Sequence, residues 1–160
     1  MFFTEIAEVQ KMKKFLFYFV QWTWGLSVNL IGGICCLVFK YFKKCRVERY
    51  GYNWFTYVPG NFGGLSLGLF VFIRDTSKEK GKEQWLYNTQ IHEYGHTFQC
   101  LMLGPLYWLV VAIPSFIWCN LFANYRKRNN VSYYKLYCES WANRLGEKHT
   151  GKKQNFDGEK

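Results

Sequence analysis

The 160 residues suffice for one domain with a hydrophobic core but are too few for two independent domains. Aromatic residues make up 21% of the chain, yet the mean hydropathy of -0.20 argues against a bundle of many membrane-spanning helices. The formal net charge of +10 comes from basic residues beside apolar segments, which fits anionic lipid headgroups better than nucleic acid. We therefore expect no nucleic-acid partner.

The first apolar segment, Phe15 to Phe39, contains no charged residue and is 25 residues long. At about 1.5 Å per residue it exceeds the roughly 30 Å hydrocarbon core of a bilayer, so it predicts one transmembrane helix. A cleaved signal peptide is the alternative, but the apolar part is too long and no small-x-small cleavage pattern follows it. More basic residues follow the segment than precede it, which favours a cytoplasmic location for the rest of the chain.

The next part of the chain predicts a loop and then a strand. Residues 50–64 are rich in aromatic residues and glycine, which is typical of a loop. The stretch LSLGLFVFI then alternates with period two, which predicts a strand over residues 65–73. The residues that share one face of this strand are Leu65, Leu67, Leu69, Val71 and Ile73.

Apolar residues recur at helical spacing from about Glu83 to Leu103, and Gly104 with Pro105 is expected to end that helix. A second apolar stretch, residues 106–123, is interrupted by Pro114, and either half alone is too short to cross a bilayer. It is either one kinked span or a re-entrant hairpin.

The last predicted helix begins at Ser132, a suitable N-cap, and closes at Gly146. Beyond it, residues 147–160 are polar and rich in lysine and glycine, which predicts a disordered tail.

The predicted helix at 83–103 carries the string H-E-Y-G-H. Its two histidines, His92 and His96, lie four residues apart, so both imidazoles can reach one metal ion from adjacent turns. Glu93 can then accept a proton from a water molecule on that ion. Two unrelated surface histidines are the alternative.

Zinc used catalytically needs a third protein ligand and one open position. Glu139 lies among apolar neighbours in the last predicted helix, and a carboxylate in that setting needs a cation. Asn143, one turn later, could orient a ligating imidazole. An ordinary polar position on an amphipathic helix is the other interpretation of Glu139. Cys100 and Cys138 are conceivable thiolate ligands.

The string H-E-Y-G-H followed by E-S-W-A-N resembles the gluzincin zinc metallopeptidases. With the apolar segments, it resembles their CAAX prenyl protease and heat-shock membrane protease branch, and HEYGHTFQ with LGPLYW also resembles small bacterial membrane proteins. The resemblance covers residues 65–146. It implies zinc as the cofactor, and it implies these site residues: His92, His96 and Glu139 as metal ligands, Glu93 as general base, and Asn143 as the residue that orients a ligand.

The same resemblance implies an edge strand that holds an extended substrate, a role for Leu65, Leu67, Leu69 and Val71. The chain departs from these enzymes because it is much shorter, and because many of them carry aspartate where Asn143 stands. The resemblance identifies no oxyanion-stabilising residue. The candidates for that role are Tyr133, Tyr134 and Tyr137.

A shared metal ion also constrains the topology. If residues 106–123 crossed the bilayer once, Glu139 would emerge about 30 Å from the two histidines. A hairpin bent near Pro114 returns the chain to its starting side, which is why we favour one span plus a re-entrant or interfacial hairpin.

We therefore predict an α+β, mostly helical membrane protein with one transmembrane helix, an apolar hairpin, and a small HExxH helix core with an edge strand. Residues 1–40 form the N-terminal segment and span, 41–146 the metallopeptidase-like domain, and 147–160 the tail. The predicted activity is zinc-dependent hydrolysis of a peptide or membrane-protein substrate, at the cytoplasmic face of a bacterial inner membrane. Two other hypotheses are a non-catalytic zinc-binding adaptor or structural protein, and a lipid-surface binder.

Overall fold

The computed structural model describes residues 2–156, with side chains from residue 5 onward, and shows an α+β chain that is mostly helical, as predicted. Two N-terminal helices precede a four-stranded sheet, and the helix with the histidine motif and several shorter helices follow it. The elements are α1 (Phe2–Thr23), α2 (Leu26–Tyr41), β1 (Arg46–Tyr50), β2 (Asn53–Val58), β3 (Gly64–Leu67), β4 (Phe70–Arg74), α3 (Glu83–Leu103), α4 (Ile113–Asn120), α5 (Ala123–Arg128) and α6 (Tyr137–Thr150).

The sheet is mixed and has the strand order β1-β2-β4-β3. The central strands β2 and β4 are parallel, while each outer strand pairs antiparallel with its neighbour. On one face α2 packs on the sheet, where the ring centroids of Phe39 and Phe72 lie 5.6 Å apart. On the other face Tyr94 and Phe98 of α3 share a buried cluster with strand residues. Helices thus cover both faces, and β1 and β3 are the edges.

Two predictions about this sheet are wrong. The single strand predicted over residues 65–73 is a tight hairpin of β3 and β4, in which Gly68 takes a left-handed φ of 65°. The alternating pattern continues across the turn, so periodicity alone did not reveal it. The loop predicted over residues 50–64 contains β2, whose aromatic residues fit a strand.

The predicted transmembrane helix at 15–39 is instead two helices, α1 and α2, related by a bend of 91°. The side-chain amide nitrogen of Asn29 donates to Gln21 Oε1 at 2.8 Å, and Asn29 Oδ1 accepts a hydrogen bond from the Leu69 N–H at 2.7 Å. The Gln21 amide in turn donates to the carbonyl of Thr97 at 3.1 Å. Both amide side chains are fully buried, so the polar residues of this apolar segment hold the bend against the sheet and α3.

A second bend follows α3. Gly104 and Pro105 end this helix, as predicted. The chain continues as a π-helical turn at Trp108–Ala112 and then as α4; we name residues 108–120 the return helix. The return helix is related to residues 83–106 by a bend of 119°. Helical backbone continues through Pro114, so the hairpin predicted near Pro114 is wrong in its position, and the bend lies before the return helix.

The two bends touch each other. We name residues 23–26 the first elbow and residues 104–107 the second elbow. Trp24 packs so closely on Gly104 that a Cβ atom there would lie 2.4 Å from the indole ring. Beside this contact the indole N–H of Trp108 donates to Ser27 Oγ at 3.3 Å. The two bent helix pairs are thus joined at their elbows.

Of the residues that the structure describes, no one helix is both long and apolar enough to cross a bilayer, although each bent pair meets that test when its two helices are taken together. Apolar side chains are nevertheless exposed along both pairs. Those that flank the elbows include Phe19, Trp22, Leu26, Leu30, Ile34, Leu37, Met102, Leu106, Leu109, Ile113 and Ile117.

The last helix starts and ends later than predicted. Ser132 caps a short 3-10 turn, not the helix itself, and α6 begins at Tyr137. Gly146, predicted to close the helix, is buried inside it, and Gly151 closes it instead with a left-handed φ of 68°.

The tail predicted to be disordered is helical as far as Thr150 and then folds back on α3. The Gln154 amide donates to the Asn88 carbonyl at 2.9 Å, and the Asn155 N–H donates to the Asn88 side chain at 3.0 Å. The prediction is therefore wrong up to residue 156, while residues 157–160 lie outside the described part of the chain.

Candidate metal centre

The two motif histidines lie on one face of α3, which spans the predicted residues. Both imidazoles are buried, with exposures of 3% for His92 and 5% for His96. Their Nε2 atoms lie 3.1 Å apart. The spacing of four residues has therefore placed two nitrogen ligands where one ion can bind both.

Glu139 brings a carboxylate to the same point from α6. Its Oε2 atom lies 2.9 Å from His92 Nε2 and 3.4 Å from His96 Nε2, and the side chain is fully buried. Within residues 5–156, these three side chains form the group that could hold a metal ion. Glu139 lies in the first turn of α6, whereas its predicted position was mid-helix. The two cysteines considered as ligands do not belong to this group.

Glycine residues let α3 and α6 approach closely enough for these ligands to meet. A Cβ atom at Gly95 would lie 1.9 Å from the carbonyl oxygen of Ala142, and one at Gly146 would lie 2.0 Å from the carbonyl oxygen of Ile91. The glycine inside the motif is therefore required because the α6 backbone passes directly over it. The close approach places Glu139 one turn before this contact and Asn143 directly after it.

The hydrogen bonds of the histidine Nδ1 atoms fix which nitrogen is free. His92 Nδ1 lies 2.6 Å from Asn143 Oδ1, and His96 Nδ1 lies 2.6 Å from Gln99 Oε1. The Gln99 amide group donates to the carbonyl of Cys138 at 2.7 Å, so its oxygen must face His96. Since both partners offer an oxygen, each Nδ1 donates a hydrogen to it, and each ring turns its Nε2 atom towards Glu139.

The arrangement of these three ligand atoms fits a zinc ion. Zn–N and Zn–O bonds of about 2.0–2.1 Å in a tetrahedron place neighbouring ligand atoms about 3.3 Å apart. The observed separations are 2.9, 3.1 and 3.4 Å. Two imidazoles and one carboxylate are a common ligand set of catalytic zinc. A single proton can be shared by only two of these three ligand atoms, whereas one divalent cation can bind all three.

The pKa values of the two carboxyl groups at this centre, Glu139 and Glu93, are shifted in opposite directions. Burial alone would raise the pKa of Glu139, but His96 and His92 more than offset this, and its pKa lies below the usual range. Burial raises the pKa of Glu93 to about 7, helped by the nearby charge of Glu139 and opposed by His92. The histidines thus favour the ionised form of Glu139, while Glu93 can exchange a proton near neutral pH.

The Glu93 carboxyl group lies against β3. Its Oε2 atom is buried and has no hydrogen-bond partner among the described residues. A Cβ atom at Gly64 of β3 would lie 2.2 Å from Glu93 Oε1, so only glycine leaves room for this carboxyl group. Gly64 was not among the predicted site residues.

A cleft of about 270 Å³ opens beside Glu93 and His96, between β3 and the return helix. The rest of its lining is uncharged and largely apolar, and it includes Leu65, Val111 and Phe116. The cleft thus offers a largely apolar space next to Glu93 and His96.

Of the four residues predicted to hold a substrate, two lie on an edge strand and two do not. Leu65 and Leu67 lie on β3, an edge strand, and Leu65 lines the cleft. Leu69 lies in the hairpin turn and Val71 in the central strand β4, and both are buried in the core, so neither can face a substrate. In the β3–β4 register the N–H and C=O groups of Gly64 point away from β4, towards the free edge.

The three candidate oxyanion residues differ in position. Tyr133 lines the cleft, and its hydroxyl lies 3.1 Å from Ser115 Oγ. Burial raises the pKa of Tyr133, with a contribution from Glu139, so the hydroxyl keeps its proton. Tyr134 packs against the His92 ring at a centroid distance of 5.1 Å. The Tyr137 hydroxyl donates to the carbonyl of Val110, away from the metal ligands.

Sequence reasoning missed Gln99 and the structural glycines. Gln99 lies three residues after His96 on α3, so helical spacing places it on the ligand face, and its position was a usable signal. Gly95 gives no such signal, because its role depends on the path of α6.

Comparison with known protein families, with curated proteins and with solved structures finds no match for this chain. The resemblance to gluzincins therefore rests on the motif residues alone.

Proposed function

We propose that the protein is a zinc-dependent metallopeptidase that works at a membrane. One observation carries the proposal: the Nε2 atoms of two imidazoles and a carboxylate oxygen face one another in a buried site, beside Glu93, whose Oε2 atom has no hydrogen-bond partner among the described residues. A zinc ion bound by His92, His96 and Glu139 would supply a Lewis acid that polarises a peptide carbonyl and lowers the pKa of water.

The protein groups around the cleft have roles in such a reaction. Glu93, with its pKa near 7, accepts a proton from the attacking water and returns it to the departing amine. The neutral Tyr133 hydroxyl can donate a hydrogen bond to charge that develops on the carbonyl oxygen. The outward backbone groups of Gly64 can pair with an extended substrate along β3.

The membrane part of the proposal rests on the exposed apolar surface and on the charges beside it. Apolar side chains are exposed on both bent helix pairs over lengths that few water-soluble monomers show. Exposed basic residues lie next to these segments, where anionic headgroups would bind them. A cytoplasmic location and a bacterial inner membrane remain part of this proposal.

Glu93→Gln tests catalysis without removing a ligand. The amide keeps the size of the side chain but cannot accept a proton, so cleavage should fall about 100-fold or more while zinc content stays unchanged. Glu83→Gln is the matched control, since Glu83 is exposed at the start of the same helix. His92→Ala should instead lose the metal.

Because the substrate class is broad, cleavage is best measured as fragments in the membrane proteome of cells that carry each variant. Identical fragments from wild type and Glu93→Gln, with zinc bound in both, would leave the non-catalytic zinc-binding adaptor as the better explanation. Wild-type protein that binds no zinc at all would contradict both hypotheses.

A further inference from the structure

We propose that the protein inserts into a single leaflet of an anionic lipid bilayer from one side, with both elbows at the greatest depth. The metal cleft then lies near the headgroup boundary of that same leaflet. This inference deepens the membrane location put forward above and rests on it. It differs from the sequence prediction of one full transmembrane span.

The elbows form one joined structure. The first elbow turns the chain by 91° and the second by 119°, and Trp24 packs on Gly104 where they meet. Apolar side chains are exposed at and beside both elbows; Leu26 is 48% exposed and Leu106 is 51% exposed. The result is an apolar apex shared by four helical arms.

Exposed basic residues lie away from the apex, in the middle of α1, at the end of α2 and after the return helix. The exposed basic residues are Lys11, Lys13 and Lys14 on α1, Lys40, Lys43 and Lys44 at the end of α2, and Lys127 and Arg128 after the return helix. Each group lies on the outer side of an uncharged segment that leads to an elbow. This order fits a bilayer in which the apex lies in the hydrocarbon core and these basic residues lie at anionic headgroups.

The length of α2 matches one leaflet. Lys40 lies fourteen residues after Leu26, which is about 21 Å of helix. If the membrane normal bisects the angle between α1 and α2, each helix is inclined by about 45° to that normal. Over its length α2 then descends about 15 Å into the membrane, which is half of the roughly 30 Å hydrocarbon core. The apex would then reach the bilayer midplane and no further.

The bend is also held by bonds that a straight span would break. The Asn29 side chain binds Gln21 and the Leu69 N–H, and Gln21 binds the Thr97 carbonyl. A continuous helix over residues 15–39 would carry both amides away from these partners and into lipid, which is unfavourable. The bent form keeps them paired inside the protein.

The position of the metal centre follows from the second elbow. His96 lies eight residues before Gly104 on α3, so it is at most about 12 Å from the apex. The return helix lines the cleft with Val111 and Phe116, and it exposes Leu109 and Ile113 elsewhere on its surface. The same helix therefore contacts lipid and substrate, and the substrate class that fits is polypeptide lying at the membrane surface.

Cysteine labelling on two sides of a membrane tests the topology. Single reporters, Lys13→Cys, Lys43→Cys, Lys78→Cys and Lys127→Cys, are placed in a Cys119→Ser background, because Cys119 is the exposed native thiol among the described residues. Sealed membrane vesicles of both orientations are treated with a membrane-impermeant maleimide. All four reporters should be labelled in one orientation and lose labelling in the other.

Labelling of Lys13→Cys and Lys43→Cys from opposite sides would show that α1 and α2 cross the bilayer, and it would overturn the proposal. A second arm uses vesicles of phosphatidylcholine with or without phosphatidylglycerol. The protein should float with the anionic vesicles, and Leu26→Cys and Leu106→Cys should lose labelling when vesicles are added; unchanged labelling also overturns the proposal. Zinc content and the Glu93→Gln comparison do not depend on either arm, so the peptidase proposal and the insertion mode fail separately.

Discussion

Gly95→Ala tests whether the metal centre depends on the close approach of α3 and α6. The new methyl carbon would lie 1.9 Å from the carbonyl oxygen of Ala142, which is backbone and cannot rotate away. To reach the edge of ordinary van der Waals distance, 3.4 Å, the two helices must separate by about 1.5 Å.

A displacement of this size matters more for the metal than for the fold. Overpacking of a core typically costs about 1–3 kcal/mol of the free energy of unfolding. Metal–ligand distances, by contrast, are held to within about 0.2 Å. Glu139 moves with α6 while both histidines stay on α3, so the carboxylate leaves bonding range. We expect Gly95→Ala to fold with reduced stability and to lose zinc.

The assay is thermal unfolding of detergent-purified protein, with zinc and with a chelator. Zinc at 100 times its dissociation constant adds about 2.7 kcal/mol, which corresponds to a rise of about 5–10 °C in Tm for a chain of this size. Wild type should show this rise, and Gly95→Ala should show none.

Gly33→Ala is the control, because Gly33 also lies in a helix and its added methyl group would meet only Phe70, at 3.4 Å. It should keep the zinc-dependent rise in Tm. If Gly95→Ala and Gly33→Ala behave alike, α6 does not pass over Gly95 as described and the account of the site fails.

Two further predictions concern the surroundings of the ligands. Gln99→Ala removes the acceptor of the His96 Nδ1–H and should weaken zinc binding about 10- to 100-fold in a chelator competition. Gln90→Ala, on the same helix, is the control and should leave the zinc affinity unchanged. Equal zinc affinities of the two variants would contradict the assigned tautomer of His96. The second prediction concerns chelator-treated protein, in which burial raises the pKa of Glu93 from 4.5 to about 7. Glu93 therefore contributes fully to the free energy of unfolding below pH 4.5, and this contribution is lost as pH rises through about 7. Unfolding midpoints of the apoprotein should therefore fall over that range by more in wild type than in Glu93→Gln, and parallel curves would show that Glu93 titrates normally.

The parts of the molecule that sequence reasoning predicted correctly are those fixed by local spacing. The bounds of α3 follow from helical periodicity and from Gly104. His92 and His96 share a face because they belong to one helix, so no knowledge of the fold was needed. Glu139 could be selected because a carboxylate among apolar neighbours needs a cation wherever its helix packs.

The parts that were predicted wrongly depend on distant residues. The amides of Gln21 and Asn29 looked like tolerated polar positions in a span, and only Thr97 and Leu69, far along the chain, show that they hold a bend. The turn at Gly68 lies inside an unbroken alternation of apolar residues, so periodicity could not reveal it.

The hairpin was placed near Pro114 because that proline interrupts the apolar stretch 106–123, whereas the bend lies before the return helix. Pro114 lies where the π-helical turn passes into α4, and the helix continues through it. The tight packing of Gly95 could not be predicted either, since it depends on where α6 crosses α3.

The buried amide pair also sets an order of assembly during synthesis. Gln21 and Asn29 leave the ribosome long before Leu69 and Thr97, the residues whose backbone groups they bind. Until about a hundred residues have been made, the two amides can bind each other but not the backbone groups of Leu69 and Thr97. The first elbow is therefore fixed to the rest of the fold only when the sheet hairpin and α3 arrive, and the candidate site remains without its third ligand until Glu139 follows. A metal ion could thus meet all three ligands only after the residues that fix the bend have been made.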